Sequence, residues 1–127
     1  MEKDPNGIAA KTPGSKLDAG KPPVWQGALD YFPRAIEAVA ALSAAGAAKY
    51  TWKGWESVPD GIARYRNAQG RHITAEAKEG IWDSQMGSLG YPTLHLTQQV
   101  WNSLAALELM LKDRDNQKEV DFERFQP

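Results

Sequence analysis

The 127-residue sequence contains no cysteine, which excludes disulfide bonds and thiolate-ligated metal sites. It has no apolar run that approaches the roughly 18 residues of a membrane-spanning helix. Its hydrophilic first 21 residues also lack the apolar centre of a signal peptide. The net charge of -1 gives no electrostatic reason to expect nucleic acid or an acidic membrane as a partner. These absences predict a cytoplasmic protein that binds neither nucleic acid nor membrane.

The sequence also lacks the common catalytic motifs. It contains no GxxxxGK[ST] phosphate loop, no GxGxxG dinucleotide loop, no GxSxG nucleophile elbow and no HExxH zinc motif. Chemistry based on a covalent nucleophile is therefore not indicated. Any hydrolysis is expected to come from a bound metal ion and the water that it activates.

Length and composition fit one globular domain, because 42% of the residues are apolar and 24% are charged. Residues 1–23 are rich in Gly, Pro, Lys and Asp and lack apolar periodicity, which predicts an arm that is flexible until it docks. Residues 24–114 carry the periodic segments and are predicted to form the helical, catalytic domain. Residues 115–127 are predicted to be a charged tail that frays.

Two helices are predicted from their start and stop signals. The first, over about residues 34–49, follows Pro33, a residue suited to the first turn of a helix. The second, over about residues 62–79, follows Asp60, a candidate N-terminal cap, and is expected to stop at Gly80.

A third helix is predicted over about residues 93–113. Its apolar side chains have the spacing of a buried seam, and they are Val100, Leu104, Leu107 and Leu111. The opposite side carries a polar stripe that is expected to be hydrated, formed by His95, Gln98 and Asn102. Three helices leave a seam that one short chain covers poorly. The fold class is therefore predicted to be all-α, a small helical bundle completed by oligomerisation.

The second helix carries a line of potential metal ligands. His72, Glu76, Glu79 and Asp83 fall at offsets of 0, 4, 7 and 11. At about 100° per residue these side chains project within roughly 60° of one another. Tyr65 and Ala68 lie on the same line, which indicates a face that looks inward.

Carboxylates on an inward face repel one another and are costly to desolvate unless a cation neutralises them. Oxygen ligands with few imidazoles suit Mg²⁺ or Mn²⁺ better than zinc. The line therefore predicts a divalent-metal site. An ordinary solvated face is the alternative, with Gly80 ending the helix and leaving Asp83 on a loop.

Short motifs in a fixed order run from Asp18 to Glu108. They are DAGKP at 18–22, YFPRAIE at 31–37, GAAKY at 46–50, Trp55, RY at 64–65, Ala68, RHITAE at 71–76, EG at 79–80, DSQMG at 83–87, His95 and WN at 101–102. Together they resemble the phage and prophage family of dATP/dGTP diphosphohydrolase N-terminal domains (MazZ-like). That family is grouped with the all-α MazG and HisE pyrophosphohydrolases.

The resemblance implies hydrolysis of purine deoxynucleoside triphosphates to monophosphate and pyrophosphate with Mg²⁺ or Mn²⁺, in phage nucleotide metabolism and hence in the host cytoplasm. It implies metal binding by Glu37, His72, Glu76, Glu79, Asp83 and His95. One of Glu76 and Glu79 would act as the catalytic base. The residues expected to bind the phosphates of the substrate are Lys21, Lys49, Arg64 and Arg71. Trp55 and Asn102 are expected to contact the purine ring.

The sequence departs from the family pattern after the second helix. The family reads Asp-x-Glu-[Ser/Thr]-Gly, whereas Gln85 and Met86 replace the acid and the hydroxyl residue here, and the stretch before His95 is longer. Because these changes lie beside the expected metals, a catalytically silent helical module that binds a nucleotide or a protein remains an alternative. A plain oligomeric scaffold is a further one.

Overall fold

The computed structural model describes residues 2–84 and 93–124, with side chains described as far as residue 117. The departures at Gln85 and Met86 lie outside the described residues. A short π-helix, Trp25–Leu29, precedes the first long helix, α1, at Pro33–Lys49. A 3-10 helix follows at Gly54–Ser57, and then α2 at Gly61–Glu79, β1 at Trp82–Asp83, β2 at Thr93–Leu94 and α3 at His95–Arg124.

The predicted all-α class is confirmed, because the two strands contribute only two residues each to a small antiparallel sheet. None of the described helices combines the length and the hydropathy that crossing a membrane requires. The chain divides into two compact units, residues 1–33 and residues 34–127.

The first unit contains an ordered turn around Asp4. Its buried carboxylate accepts backbone N–H hydrogen bonds from Asn6 and Ile8 through Oδ1 and from Lys16 through Oδ2, at 2.8–3.1 Å. These hydrogen bonds, that from Ile8 first, lower the pKa of Asp4. The described residues before Val24 form turns without a helix, as their Gly- and Pro-rich composition suggests. The flexibility of the arm stays a prediction.

The boundaries of α1 and α2 agree with the sequence signals, with one exception at Asp60. Pro33 begins α1, and Gly80 ends α2 with a φ of 100°, a left-handed conformation that favours glycine. Asp60 occupies the N-cap position of α2, but its side chain makes no capping hydrogen bond, so the predicted cap is wrong. Its φ of 55° differs from the extended backbone that turns a capping side chain towards the first free N–H groups.

The third helix is longer than predicted. It begins at His95 and continues to Arg124, rather than ending near residue 113. Residues 114–124 contain no glycine or proline, and most of them are charged or amide residues that tolerate a helix. The sequence therefore offered no stop signal at the point where the end was placed.

The face of α3 that packs inward is the opposite of the predicted one. The predicted seam is largely exposed, at 38% for Val100, 43% for Leu104 and 50% for Leu107. The polar stripe that was expected to be hydrated is instead buried, with exposures of 2%, 8% and 7% for His95, Gln98 and Asn102. Gln98, Asn102 and the Nδ1 atom of His95 have partners inside the unit, as described below, whereas His95 Nε2 has no hydrogen-bond partner among the described residues. The apolar seam is thus left open in the single chain, and its burial against a second copy stays a prediction.

An aromatic cluster joins the helices of the second unit. The rings of Trp55, Tyr65 and Trp101 meet edge to face with centroids 5.7–6.1 Å apart. The Tyr65 hydroxyl donates to the Trp55 carbonyl at 2.6 Å, and Trp101 Nε1 donates to Ser43 Oγ on α1 at 3.0 Å. The contact of Tyr65 with Trp101 packs α2 against α3. Further along the two helices, the same packing brings other side chains of α2 and α3 into contact.

Candidate metal centre

The structure brings together both histidines of the chain and one carboxylate. His72 on α2, Asp83 on β1 and His95 at the start of α3 each present a ligand atom within 4.8 Å of the others. His72 Nδ1 lies 3.1 Å from His95 Nδ1 and 3.9 Å from Asp83 Oδ2. Within the described ranges, this is the one group of three or more histidine, aspartate or glutamate side chains with such spacing.

Two features of the backbone deliver these ligands. The contact of Tyr65 with Trp101 and that of His72 with His95 show that α2 and α3 run in opposite directions. His72 therefore lies two turns along α2 from the aromatic cluster and faces the beginning of α3.

Asp83 reaches the group by a route that helical spacing did not predict. Because α2 ends before Gly80, Asp83 does not continue the line of ligands on that helix. The part of the alternative in which Gly80 ends the helix is confirmed, whereas Asp83 lies buried on β1 and not on a solvated loop. Asp83 instead pairs with Thr93 in the antiparallel sheet, and the His95 N–H donates to the Ile81 carbonyl at 2.9 Å. The pairing of β1 with β2 thus returns Asp83 to the histidines.

The imidazole of His72 is suited to metal binding at neutral pH. Burial lowers the pKa of His72, and the neighbouring His95 and Arg71 lower it further, while the Asp83 carboxylate acts in the opposite direction. His72 is therefore neutral near pH 7 and has a lone pair to offer.

The ring nitrogens of the two histidines are arranged so that a bound cation would stabilise them. The two facing Nδ1 atoms form a hydrogen bond only if one of them carries the proton; otherwise two lone pairs meet at 3.1 Å. His95 Nε2 is buried and has no hydrogen-bond partner among the described residues, and its nearest carboxylate oxygen, Glu79 Oε2, is 3.7 Å away. A buried polar atom without a partner costs about 1–3 kcal/mol. A divalent ion bound by the two Nδ1 atoms would replace their lone-pair contact with coordination bonds and would leave the proton of His95 on Nε2, towards Glu79, so the residues fit a metal.

A residue that the sequence did not identify as part of the centre contacts the carboxylate. Gln98 Nε2 donates to Asp83 Oδ2 at 2.6 Å, and both side chains are buried. Gln98 lies three residues after His95 on the same face of α3, and this spacing was the only indication in the sequence that it could lie near the group. That face was expected to be hydrated.

The three glutamates that were predicted as metal ligands differ in their exposure and in their distance from the group. Glu79 is 51% exposed and lies nearest to the group through His95. Glu76 is half-buried one turn earlier on α2, and Glu37 is exposed on α1 and is not part of the group. Metal binding by these three glutamates, and proton transfer by Glu76 or Glu79, stay predictions.

The predicted substrate-binding residues are spread over several elements. Lys49 ends α1, and its Nζ lies 5.3 Å from the Tyr50 ring centroid. Arg64 lies on α2, and its guanidinium donates to the Pro59 carbonyl at 3.3 Å. Trp55 belongs to the aromatic cluster, the core position that is common for such a residue, and Asn102 Nδ2 donates to the Gln98 carbonyl at 2.8 Å. Arg71 is exposed beside His72, and Lys21 is exposed in the first unit.

Two imidazoles and a carboxylate can hold one divalent ion and leave coordination positions for water or a substrate oxygen.

Residues 11–119 match the protein family described as dATP/dGTP diphosphohydrolase, N-terminal. No curated protein and no solved structure matches the chain. The matched range includes all three members of the His72, Asp83 and His95 group.

Proposed function

Because the chain belongs to the dATP/dGTP diphosphohydrolase N-terminal family, we propose that it is a metal-dependent hydrolase of purine deoxynucleoside triphosphates. It would convert dATP or dGTP to the monophosphate and pyrophosphate, in phage nucleotide metabolism within a host cytoplasm. The observation that carries this proposal is the convergence of His72, Asp83 and His95, which lies inside the matched range.

The donor set bears on the choice of metal. Mg²⁺ strongly prefers oxygen ligands and retains its water, whereas imidazole ligands suit transition metals. Two imidazoles in a group of three ligands therefore favour Mn²⁺ over Mg²⁺. His72, Asp83 and His95 would hold the ion, and Glu79, whose Oε2 lies 3.7 Å from His95 Nε2, would be a further ligand. When bound, the ion would neutralise phosphate charge and lower the pKa of a water molecule.

The protein's own groups would supply the remaining functions. In the proposed reaction a water oxygen bonds to the α-phosphorus, the bond to the oxygen that bridges the α and β phosphates breaks, and pyrophosphate leaves. Glu79 or Glu76 would accept the proton from the water. The exposed cations Lys49, Arg64 and Arg71 would offset charge on the triphosphate.

A nucleotide screen tests the activity itself. Pyrophosphate release is measured for every common deoxy- and ribonucleoside triphosphate with Mn²⁺, with Mg²⁺ and with excess chelator. Release from dATP or dGTP that is faster with Mn²⁺ and absent with chelator is expected. Full activity in chelator would contradict a metal mechanism. Nucleotide binding with no pyrophosphate release under any condition would instead support the alternative of a catalytically silent binding module.

We also propose that the exposed seam of α3 is covered by a second copy of the chain. Val100, Leu104 and Leu107 recur on one side of the helix and are each more than a third exposed. An apolar stripe of this kind is typical of an interface between copies, since a single chain gains nothing by leaving it in water.

Leu107→Glu is expected to shift the protein from an oligomer to a monomer at micromolar concentration, because it places a charge in the proposed interface. The change should leave the fold intact, since Leu107 is half exposed in the single chain. Light scattering measures the mass, with Ile73→Glu on α2 as the control because Ile73 is equally exposed and apolar but lies outside the seam. A monomeric wild-type protein, or equal dissociation by both variants, would refute the proposal.

A further inference from the structure

We propose that Gln98 is a positioning residue, which holds the Asp83 carboxylate in the orientation needed to bind a metal. The inference rests on the proposed function, because it assumes that Asp83 is a ligand. Gln98 and Asp83 are both more than nine-tenths buried, and Gln98 Nε2 donates to Asp83 Oδ2 over 2.6 Å. A hydrogen bond this short to a carboxylate restricts rotation of the acid about its side-chain bonds.

The hydrogen bond falls on an oxygen that faces the histidines. Asp83 Oδ2 is the atom that lies 3.9 Å from His72 Nδ1, so Gln98 orients the part of the carboxylate that belongs to the group. Groups that hydrogen-bond to metal-binding side chains orient them and tune their affinity. Gln98 therefore acts on the metal centre through Asp83.

The chemistry of the amide suits this role. A carboxylate only accepts hydrogen bonds, so Gln98 must direct its NH₂ group towards Asp83. An amide is neutral and leaves the negative charge of the acid available to a cation. A lysine or an arginine at the same place would neutralise that charge and compete with the metal.

The backbone holds Gln98 beside the ligands. It lies three residues after His95, so the ligand and its support share one face of α3. Asn102 Nδ2 donates to the Gln98 carbonyl oxygen over 2.8 Å, one turn further along the same face. Gln98 and Asn102, whose burial the sequence did not suggest, thus form hydrogen bonds that lead along this face to Asp83.

Gln98→Met tests the inference, because methionine keeps the length of the side chain but cannot donate the hydrogen bond. We expect Mn²⁺ binding, measured by isothermal titration calorimetry on the full chain, to weaken by about 10–100-fold. Gln99→Met is the matched control. Gln99 is a neighbouring, partly buried glutamine whose Nε2 has no hydrogen-bond partner among the described residues, and its replacement should leave Mn²⁺ affinity unchanged.

Circular dichroism of each variant separates a loss of folding from a loss of positioning. Gln98→Asn, which retains the amide on a shorter side chain, provides a milder variant and is expected to show an intermediate loss of affinity. A folded Gln98→Met or Gln98→Asn protein with wild-type Mn²⁺ affinity would overturn the inference, as would a wild type that binds no Mn²⁺. A wild type that binds Mn²⁺ but hydrolyses no nucleotide would refute the proposed function and leave the role of Gln98 intact.

Discussion

Asp83→Asn is expected to lower turnover by at least about a hundredfold, the scale of removing one key electrostatic group from an active site. Asparagine has nearly the same shape, and its oxygen can still accept the hydrogen bond from Gln98. The change removes the negative charge from the group of His72, Asp83 and His95, and with it most of the attraction for a divalent ion. Pyrophosphate release and the rise in melting temperature caused by Mn²⁺ are the two measurements.

A structural role for Asp83 makes a different prediction. If the carboxylate served only the packing of β1 against its neighbours, Asp83→Asn would change the melting temperature without metal and leave the Mn²⁺-induced rise unaltered. Asp60→Asn is a suitable control, since Asp60 is an exposed aspartate at the other end of α2. An Asp83→Asn protein that retains turnover and the Mn²⁺-induced rise would remove Asp83 from the site.

Glu79→Gln is expected to reduce turnover by a similar factor, at least about a hundredfold. Glu79 ends α2 and places Oε2 3.7 Å from His95 Nε2, which has no hydrogen-bond partner among the described residues. We propose that from there it joins the metal or accepts a proton from water. The substitution keeps the size of the side chain and removes its charge. Because the side chain is 51% exposed, the free energy of unfolding without metal should change by less than about 0.5 kcal/mol.

Turnover and melting temperature with and without Mn²⁺ together decide the role of Glu79. Glu108→Gln on α3 is the matched control, because Glu108 is an exposed helical glutamate outside the group. It should leave both measurements unchanged. If Glu79→Gln behaves like this control, Glu79 is a solvated residue and takes no part in the reaction.

The helices of this protein could be predicted best where a residue dictates the backbone. Pro33 can begin a helix but cannot continue one, and Gly80 adopts the left-handed conformation that ends α2, so both boundaries follow from local chemistry. Asp60 is also a residue type favoured at an N-cap, yet its φ of 55° and ψ of 37° are left-handed and its side chain makes no capping hydrogen bond. The residue type alone does not determine that backbone conformation.

The orientation of α3 could not be predicted from its own periodicity. The spacing of Val100, Leu104 and Leu107 identifies an apolar stripe, but it does not say whether α2 or another chain covers it. The stripe that faces inward carries His95 and Gln98, and their burial depends on partners that come from distant parts of the sequence.

The sequence predicted which residues form the candidate site, but it did not predict how the backbone brings Asp83 to the two histidines. His72, Asp83 and His95 were all expected to bind metal, and the structure places them together. The helical line that motivated Asp83 ends before it, and a two-residue strand pairing supplies the approach instead. Such a pairing is too short to leave a periodic signal in the sequence.

The central claim is that both histidines bind the same Mn²⁺ ion, and pulsed electron paramagnetic resonance with ¹⁵N-labelled histidine tests it most directly. The chain contains two histidines, so the label reports on His72 and His95 and on nothing else. Protein loaded with one equivalent of Mn²⁺ is expected to show ¹⁵N couplings from two imidazoles, and His72→Gln is expected to show one. Bound Mn²⁺ with ¹⁵N coupling to one imidazole or to none in the wild-type protein would contradict the claim.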